Sequence, residues 1–193
     1  MRHLHFGKLF FVVFSLLLAY TVSARKPIKT LLITGQNNHN WQVSHVVLKQ
    51  ILENSGRFDV DFVISPEQGK DMSGFVLDFS PYQLVVLDYN GDSWPEETNR
   101  RFLEYVQNGG GVVIYHAADN AFSKWPEFNR ICALGGWEGR NENSGPYVYW
   151  KDGKLVKDSS AGPGGSHGRQ HEYVLNGRDK VHPVVKGLPL CQR

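Results

Sequence analysis

The sequence predicts an α/β fold: a mainly parallel sheet between two helical layers. Three observations predict it. Short apolar runs recur at Thr30–Thr34, Phe58–Ile64, Leu84–Tyr89 and Val112–His116. Segments with helical spacing of apolar residues lie between them, at Trp41–Ser55 and Pro95–Asn108. Turn residues punctuate the junctions, at Gly35, Gly56, Asn90-Gly91 and Gly109. Strands alternating with helices of about 14 residues make βαβ units, whose crossovers cover both faces of a parallel sheet.

Taken in order, the chain opens on an export leader over residues 1–24. Arg2 and Lys8 give a positive start, Leu9 to Val22 an apolar core, and Val22-Ser23-Ala24 a small-residue cleavage site before Arg25. The run is shorter than the roughly 20 apolar residues that cross a bilayer. An uncleaved N-terminal anchor is the alternative. The expected destination is the periplasm or the extracellular space, with residues 25–193 as a single domain.

Thr30–Thr34 is the first strand, bounded by Pro27 and Gly35. Gln36–Asn40 is a polar turn. The helix Trp41–Ser55 carries Val43, Val46, Val47, Gln50 and Ile51 at three-to-four spacing, with Asn40 as N-cap and Gly56 as stop. Phe58–Ile64 is rich in β-branched residues and reads as the second strand. After a variable connection, Ser65–Ser80, comes Leu84–Tyr89 as the third. Pro95 fits the first position of a helix whose apolar face is Phe102, Leu103 and Val106. Val112–His116 is the fourth strand. A short helix follows over Glu127–Leu134, stopped by Gly135-Gly136. Tyr147–Trp150 and Lys154–Val156 flank Asp152-Gly153 as a hairpin near the pocket. His171–Leu175 is the last strand candidate. His182 sits in His182-Pro183-Val184-Val185 as the cap of a rigid turn. No closing element follows Gly187-Leu188-Pro189, so the domain is expected to be C-terminally incomplete.

Charge narrows the partners. The chain has 21 basic and 19 acidic residues; the leader carries two of the basic ones and no acid, which leaves 19 against 19. A near-neutral mature chain lacks the basic stripe of a nucleic-acid binder and the polybasic patch of a membrane-surface protein. A neutral small molecule such as a carbohydrate suits it. Two cysteines, Cys132 and Cys191, stand outside any metal-ligand or Cys-x-x-Cys spacing. They pair in one disulfide or remain two thiols.

The stretch Gly109-Gly110-Gly111-Val112-Val113-Ile114-Tyr115-His116-Ala117-Ala118-Asp119-Asn120-Ala121-Phe122 carries the chemistry. Ligands of parallel sheets bind at the carboxyl ends of strands. This strand therefore delivers His116, then Asp119 and Asn120, to a pocket rim. An imidazole serves as general acid or base near neutral pH. Asp119 is placed to orient it, and His171 to assist. Two more strand-end loops share the rim. Gln36-Asn37-Asn38-His39-Asn40-Trp41 supplies amides that pair with hydroxyls and a ring that stacks on a sugar. Asp88-Tyr89-Asn90-Gly91-Asp92 supplies Asn90, while Asp92 alternatively caps the Pro95 helix. The expected substrate-binding set is Gln36, Asn38, His39, Trp41, Asn90 and Asn120. No cofactor is expected. The histidines and Asp119 leave a divalent metal open as an alternative, but no tight ligand motif is present. Gly-x-Ser-x-Gly, a P-loop and a Gly-x-Gly-x-x-Gly after the first strand are all absent from the sequence.

The segments Thr34-Gly35-Gln36-Asn37-Asn38-His39-Asn40-Trp41, Gly109–Phe122 and His182-Pro183-Val184-Val185-Lys186-Gly187-Leu188-Pro189 together resemble the trehalose-utilisation (ThuA-like) family. The resemblance covers about residues 28–190. It implies a flavodoxin-like three-layer sandwich similar to class I glutamine amidotransferases. It does not imply their chemistry. Those enzymes place a nucleophilic cysteine in the turn after the strand, where this chain has Tyr115-His116-Ala117. What the resemblance implies is carbohydrate metabolism: a hydrolase or lyase acting on a sugar or an oxidised (keto) glycoside through His116, Asp119 and His171. A non-catalytic sugar-binding module and a metal-dependent hydrolase are the alternatives.

Overall fold

The structure, a computed structural model, describes residues 26–133, 145–163, 168–176, 179, 181–187 and 191–192. The leader expected over 1–24, the expected Gly135-Gly136 stop and Leu188-Pro189-Leu190 lie outside the described residues. The described residues up to Pro163 form one compact unit and those beyond it a second.

The first unit is built on four strands: β1 (Ile28–Thr34), β2 (Phe58–Ile64), β3 (Leu84–Leu87) and β4 (Gly111–Ile114). They run parallel in the order β2-β1-β3-β4. Leu32 pairs in register with Phe62 on one side and Val86 on the other, and Val86 with Val113. Helix α1 (Trp41–Asn54) joins β1 to β2, α2 (Glu96–Gln107) joins β3 to β4, and α3 (Pro126–Cys132) follows β4.

The period-two alternation of the strands divides the core. Leu31 and Ile33 of β1, with Val85 and Leu87 of β3, face an aromatic cluster that includes Phe102 of α2 and Phe128 of α3. Leu32, Val60 and Val86 point the other way, against Leu48 and Leu52 of α1. Both faces of the central strands are thus covered, and β1 reads as a continuous apolar run for that reason. Each fully buried Leu, Ile or Phe side chain contributes about 1.5–3 kcal/mol.

Helix α1 lies where the sequence predicts, but its roll does not follow the predicted apolar stripe. Val43, Val46, Val47 and Ile51 are between 44% and 62% exposed. The buried or sheet-facing residues are His45, Leu48 and Leu52. Polar groups set the roll. Ser44 donates to Asp88 just beyond β3, and Lys49 Nζ reaches the Val60 carbonyl on β2. Turning the valines inward would break both bonds.

Helix ends show smaller departures. Asn40 and Pro95 occupy the N-cap positions of α1 and α2, neither with a side-chain cap bond. Asp92 does not cap α2; its carboxylate accepts the Gly69 N–H at 2.6 Å. Glu96 and Glu97 sit in the first turn of α2, favourably for the helix dipole. Gly109, with φ of 87°, ends that helix in the left-handed region open to glycine. Pro126 opens α3.

The hairpin forms as predicted: β5 (Tyr147–Lys151) pairs antiparallel with β6 (Lys154–Asp158). Asp152 and Gly153 both have positive φ, 49° and 78°, as a two-residue type I′ turn requires. In the second unit, β7 (Leu175–Asn176) pairs antiparallel with β8 (Cys191–Gln192), so a two-residue strand follows Leu188-Pro189 where the sequence predicts no further element. The predicted strand over His171–Leu175 is reduced to its last residue; residues 171–174 are irregular. His182 closes its own turn: its Nδ1 accepts the Val184 N–H at 3.2 Å.

Truncating Phe102 to alanine should cost about 3–5 kcal/mol in urea unfolding, the usual range for a buried Phe. Val46→Ala, on the outward stripe, should change stability by less than about 0.5 kcal/mol.

Candidate functional site

The site of the first unit forms where β1, β3 and β4 end. Beyond β1, Gly35 has φ of 120°, and an added Cβ would lie 2.5 Å from the Ser65 backbone nitrogen. Only glycine fits there. The chain then turns through Gln36–Asn40 into α1.

Asp88 follows β3 directly and is 1% exposed. Its Oδ2 accepts from Ser44 Oγ at 2.5 Å and Thr34 Oγ1 at 3.4 Å. Its Oδ1 accepts from Asn37 Nδ2 at 3.2 Å. Burial raises the Asp88 pKa above the ordinary carboxylate value; the hydrogen bonds and the charges of His45 and His39 work against that rise.

After β4 the Tyr115 N–H still bonds the Leu87 carbonyl, at 3.0 Å. His116 then leaves the strand. The sequence predicts that it ends the strand; it opens a 3-10 turn, His116–Asn120, with φ of 47°. Phe122, just past the turn, also has positive φ, 55°. Left-handed non-glycine residues cost about 1–3 kcal/mol each and persist where surroundings hold them. Here Phe122 is wedged between Tyr89 and Trp94, at ring-centroid distances of 5.7 and 4.8 Å. A sharp strand-to-helix turn of this kind raises its first side chain above the sheet edge.

That side chain meets His39. The two imidazole centroids are 4.6 Å apart. Asn37, His39, Ser44, Asp88, Tyr115 and His116 line a cavity of about 140 Å³, with Ala117 on its wall. Typical small-molecule pockets hold about 300–1,000 Å³. This one therefore admits a small group or one end of a larger molecule rather than a whole drug-sized ligand. A larger groove, about 460 Å³, lies at the other end of the sheet between Phe79, Tyr82 and Tyr105. It holds no histidine.

The other expected site residues fall as follows. Gln36 is buried with its amide spent on two loops: Nε2 donates to the Pro66 carbonyl at 2.8 Å, and Oε1 accepts the Asp92 N–H at 2.7 Å. Asn90 Nδ2 donates to Asn38 Oδ1 at 3.2 Å, tying two rim loops together. Trp41 packs on His45 at 5.8 Å and does not line the cavity. Neither do Asp119 and Asn120. The charge of Asp119 adds to burial in pushing the Cys132 thiol up to about 12. Asn120 Oδ1 is buried with no partner among the described residues. His171 belongs to the second unit, exposed, its Nδ1 2.8 Å from the Glu172 carbonyl. His39 and His116 are thus the two expected residues that meet in the cavity. Asn37, Ser44, Asp88 and Tyr115 were not foreseen as site residues. A carboxylate placed immediately after Leu84-Val85-Val86-Leu87 was the signal for Asp88.

Among the described residues no group of three or more His, Cys, Asp or Glu side chains is placed to hold a metal ion. Cys132 is a free thiol.

A family model described as ThuA, trehalose utilisation, matches residues 29–192. The chain belongs to the ThuA family. A solved structure described as that of a ThuA-like protein from Parabacteroides merdae ATCC 43184 is 99% identical, with a TM-score of 0.82. The match covers 86% of this chain and 60% of that one, so the chain spans less than two thirds of its relative. No curated protein matches the chain. The α/β, flavodoxin-like architecture expected of a ThuA chain is the one its parallel sheet and flanking helices form. At the turn after β4 this ThuA chain presents an imidazole.

Two measurements probe the site's framework. Because His116 is left-handed, His116→Gly should be more stable than His116→Ala by about 1 kcal/mol in denaturant titrations. Asp88 destabilises the fold once ionised, since its folded pKa is raised. That cost is absent below its ordinary value of 3.8 and grows as pH rises through the higher folded value. Asp88→Asn should therefore flatten the fall in stability between acid and neutral pH, read from urea midpoints across that range.

Proposed function

We propose that this ThuA family chain acts on a carbohydrate, a sugar or keto-glycoside, by proton transfer through His116. The observation that carries the reading is the pair of imidazoles, His39 and His116, 4.6 Å apart in one small cavity at the carboxyl ends of parallel strands. A positioned imidazole takes or gives a proton near neutral pH, which is what removing a proton beside a ketone or activating water demands. Two hydroxyl-bearing residues, Ser44 and Tyr115, line the cavity beside them. Such groups pair with sugar hydroxyls. The near-neutral charge of residues 25–193 fits an uncharged ligand. The leader over residues 1–24 supports export to the periplasm or beyond.

The test is a screen of ordinary and oxidised disaccharides, followed by mass spectrometry, on this chain and on a chain of the length of its Parabacteroides relative. His116→Ala should lower turnover by about 10²–10⁴-fold while the thermal midpoint stays within a few degrees. Turnover undiminished in that variant overturns the assignment. Binding without turnover in both chains favours a sugar-binding module.

A further inference from the structure

We propose that His39 is a second proton-transfer group of this site, held against His116 by Asp88 acting through Asn37. The inference rests on the acid–base function proposed above and assigns it a partner group. The sequence places His39 among residues that shape the pocket. The structure also ties it to the sheet. The His39 N–H donates to Asn37 Oδ1 at 3.0 Å, and Asn37 Nδ2 donates to Asp88 Oδ1 at 3.2 Å. The other oxygen of Asp88 is held by Ser44 and Thr34. An exposed loop residue is thereby referenced, in two hydrogen bonds, to a carboxylate fixed between β1, β3 and α1. Its ring lies against His116, tilted by 47°, and both rings face the same cavity.

Two imidazoles in one cavity divide a reaction that consumes and releases one proton each. His116 removes a proton from the carbon next to a ketone. The C–H electron pair forms a carbon–carbon double bond, and the carbonyl pair moves to oxygen. The His39 imidazolium gives its proton to that oxygen. The product is an enediol, His116 is left protonated and His39 neutral. Transfer of the His116 proton back to carbon, and of the enediol hydroxyl proton back to His39, restores the ketone and the starting enzyme. No oxidant, reductant or other reactant is needed. Asn37 and Asp88 touch neither reacting atom; they are positioning residues.

The experiment follows deuterium uptake from heavy water into a keto-disaccharide, by NMR, on the intact protein. His39→Ala should lose about a hundredfold in kcat with KM changed less than about threefold, and added imidazole should restore about tenfold of that loss. Asn37→Ala should lower kcat with KM held, and should remove the cross-peak between the His39 and His116 ring protons that their 4.6 Å centroid separation predicts for the unaltered protein. Unaltered uptake in His39→Ala, with uptake lost in His116→Ala, overturns this inference and leaves the acid–base function standing. Loss in His39→Ala that imidazole does not restore overturns the proton-transfer role. No uptake by the unaltered protein overturns both.

Discussion

A carboxylate with 1% of its surface in contact with water must be hydrogen-bonded or neutral. Asp88 meets that demand with donors from three separate segments: Thr34 at the end of β1, Asn37 in the loop beyond, and Ser44 in the first turn of α1. Because all three must converge on one group, the loop's path and the helix's roll are fixed together. The roll explains why α1 turns four apolar residues to solvent. Burying them against the sheet would gain about 0.8 kcal/mol per methylene, but would strand a carboxylate whose lost partners cost about 1–3 kcal/mol each, and more for a charge. The polar contacts win at this end of the sheet.

The other face is held by different physics. Trp94, Phe102, Phe122, Trp125 and Phe128 stack or meet edge-on at centroid distances of 4.8 to 6.2 Å. Pairs of this kind add about 0.5–1.5 kcal/mol each beyond the area they bury. Phe122 belongs to this cluster and also closes the turn that begins at His116. Packing on one face therefore supports a strained backbone at the other end of the same short segment. The imidazole stands in the cavity because an aromatic six residues later is locked in place.

Strands and helices were legible because their signals are local. β2 falls where its β-branched run predicts, and the Asp152-Gly153 hairpin where its turn dipeptide predicts. Three things were not legible. The roll of α1 depends on Asp88, 44 residues beyond Ser44. The left-handed state of His116 depends on the cluster around Phe122, which no local pattern shows. His171 carries no strand, because residues 171–174 lack the pairing that β7 finds with β8. Of the site, His39 and His116 were visible as histidines in strand-end loops. Their contact was not, because it joins segments 77 positions apart, and neither was Asp88, whose role rests on partners in three segments.

Cys132 ends α3 beside the aromatic cluster, partly buried, with its pKa pushed up to about 12. A thiol so seldom ionised is a poor nucleophile while the cluster is closed. Any opening of α3 that exposes it would raise its reactivity. The thiol is thus a built-in clock: its alkylation rate, separated from that of Cys191 by peptide mass, would count openings of the layer that holds Phe122 and, with it, the His116 turn. Whether a ligand in the cavity slows that clock measures how far the site and the layer behind it move as one.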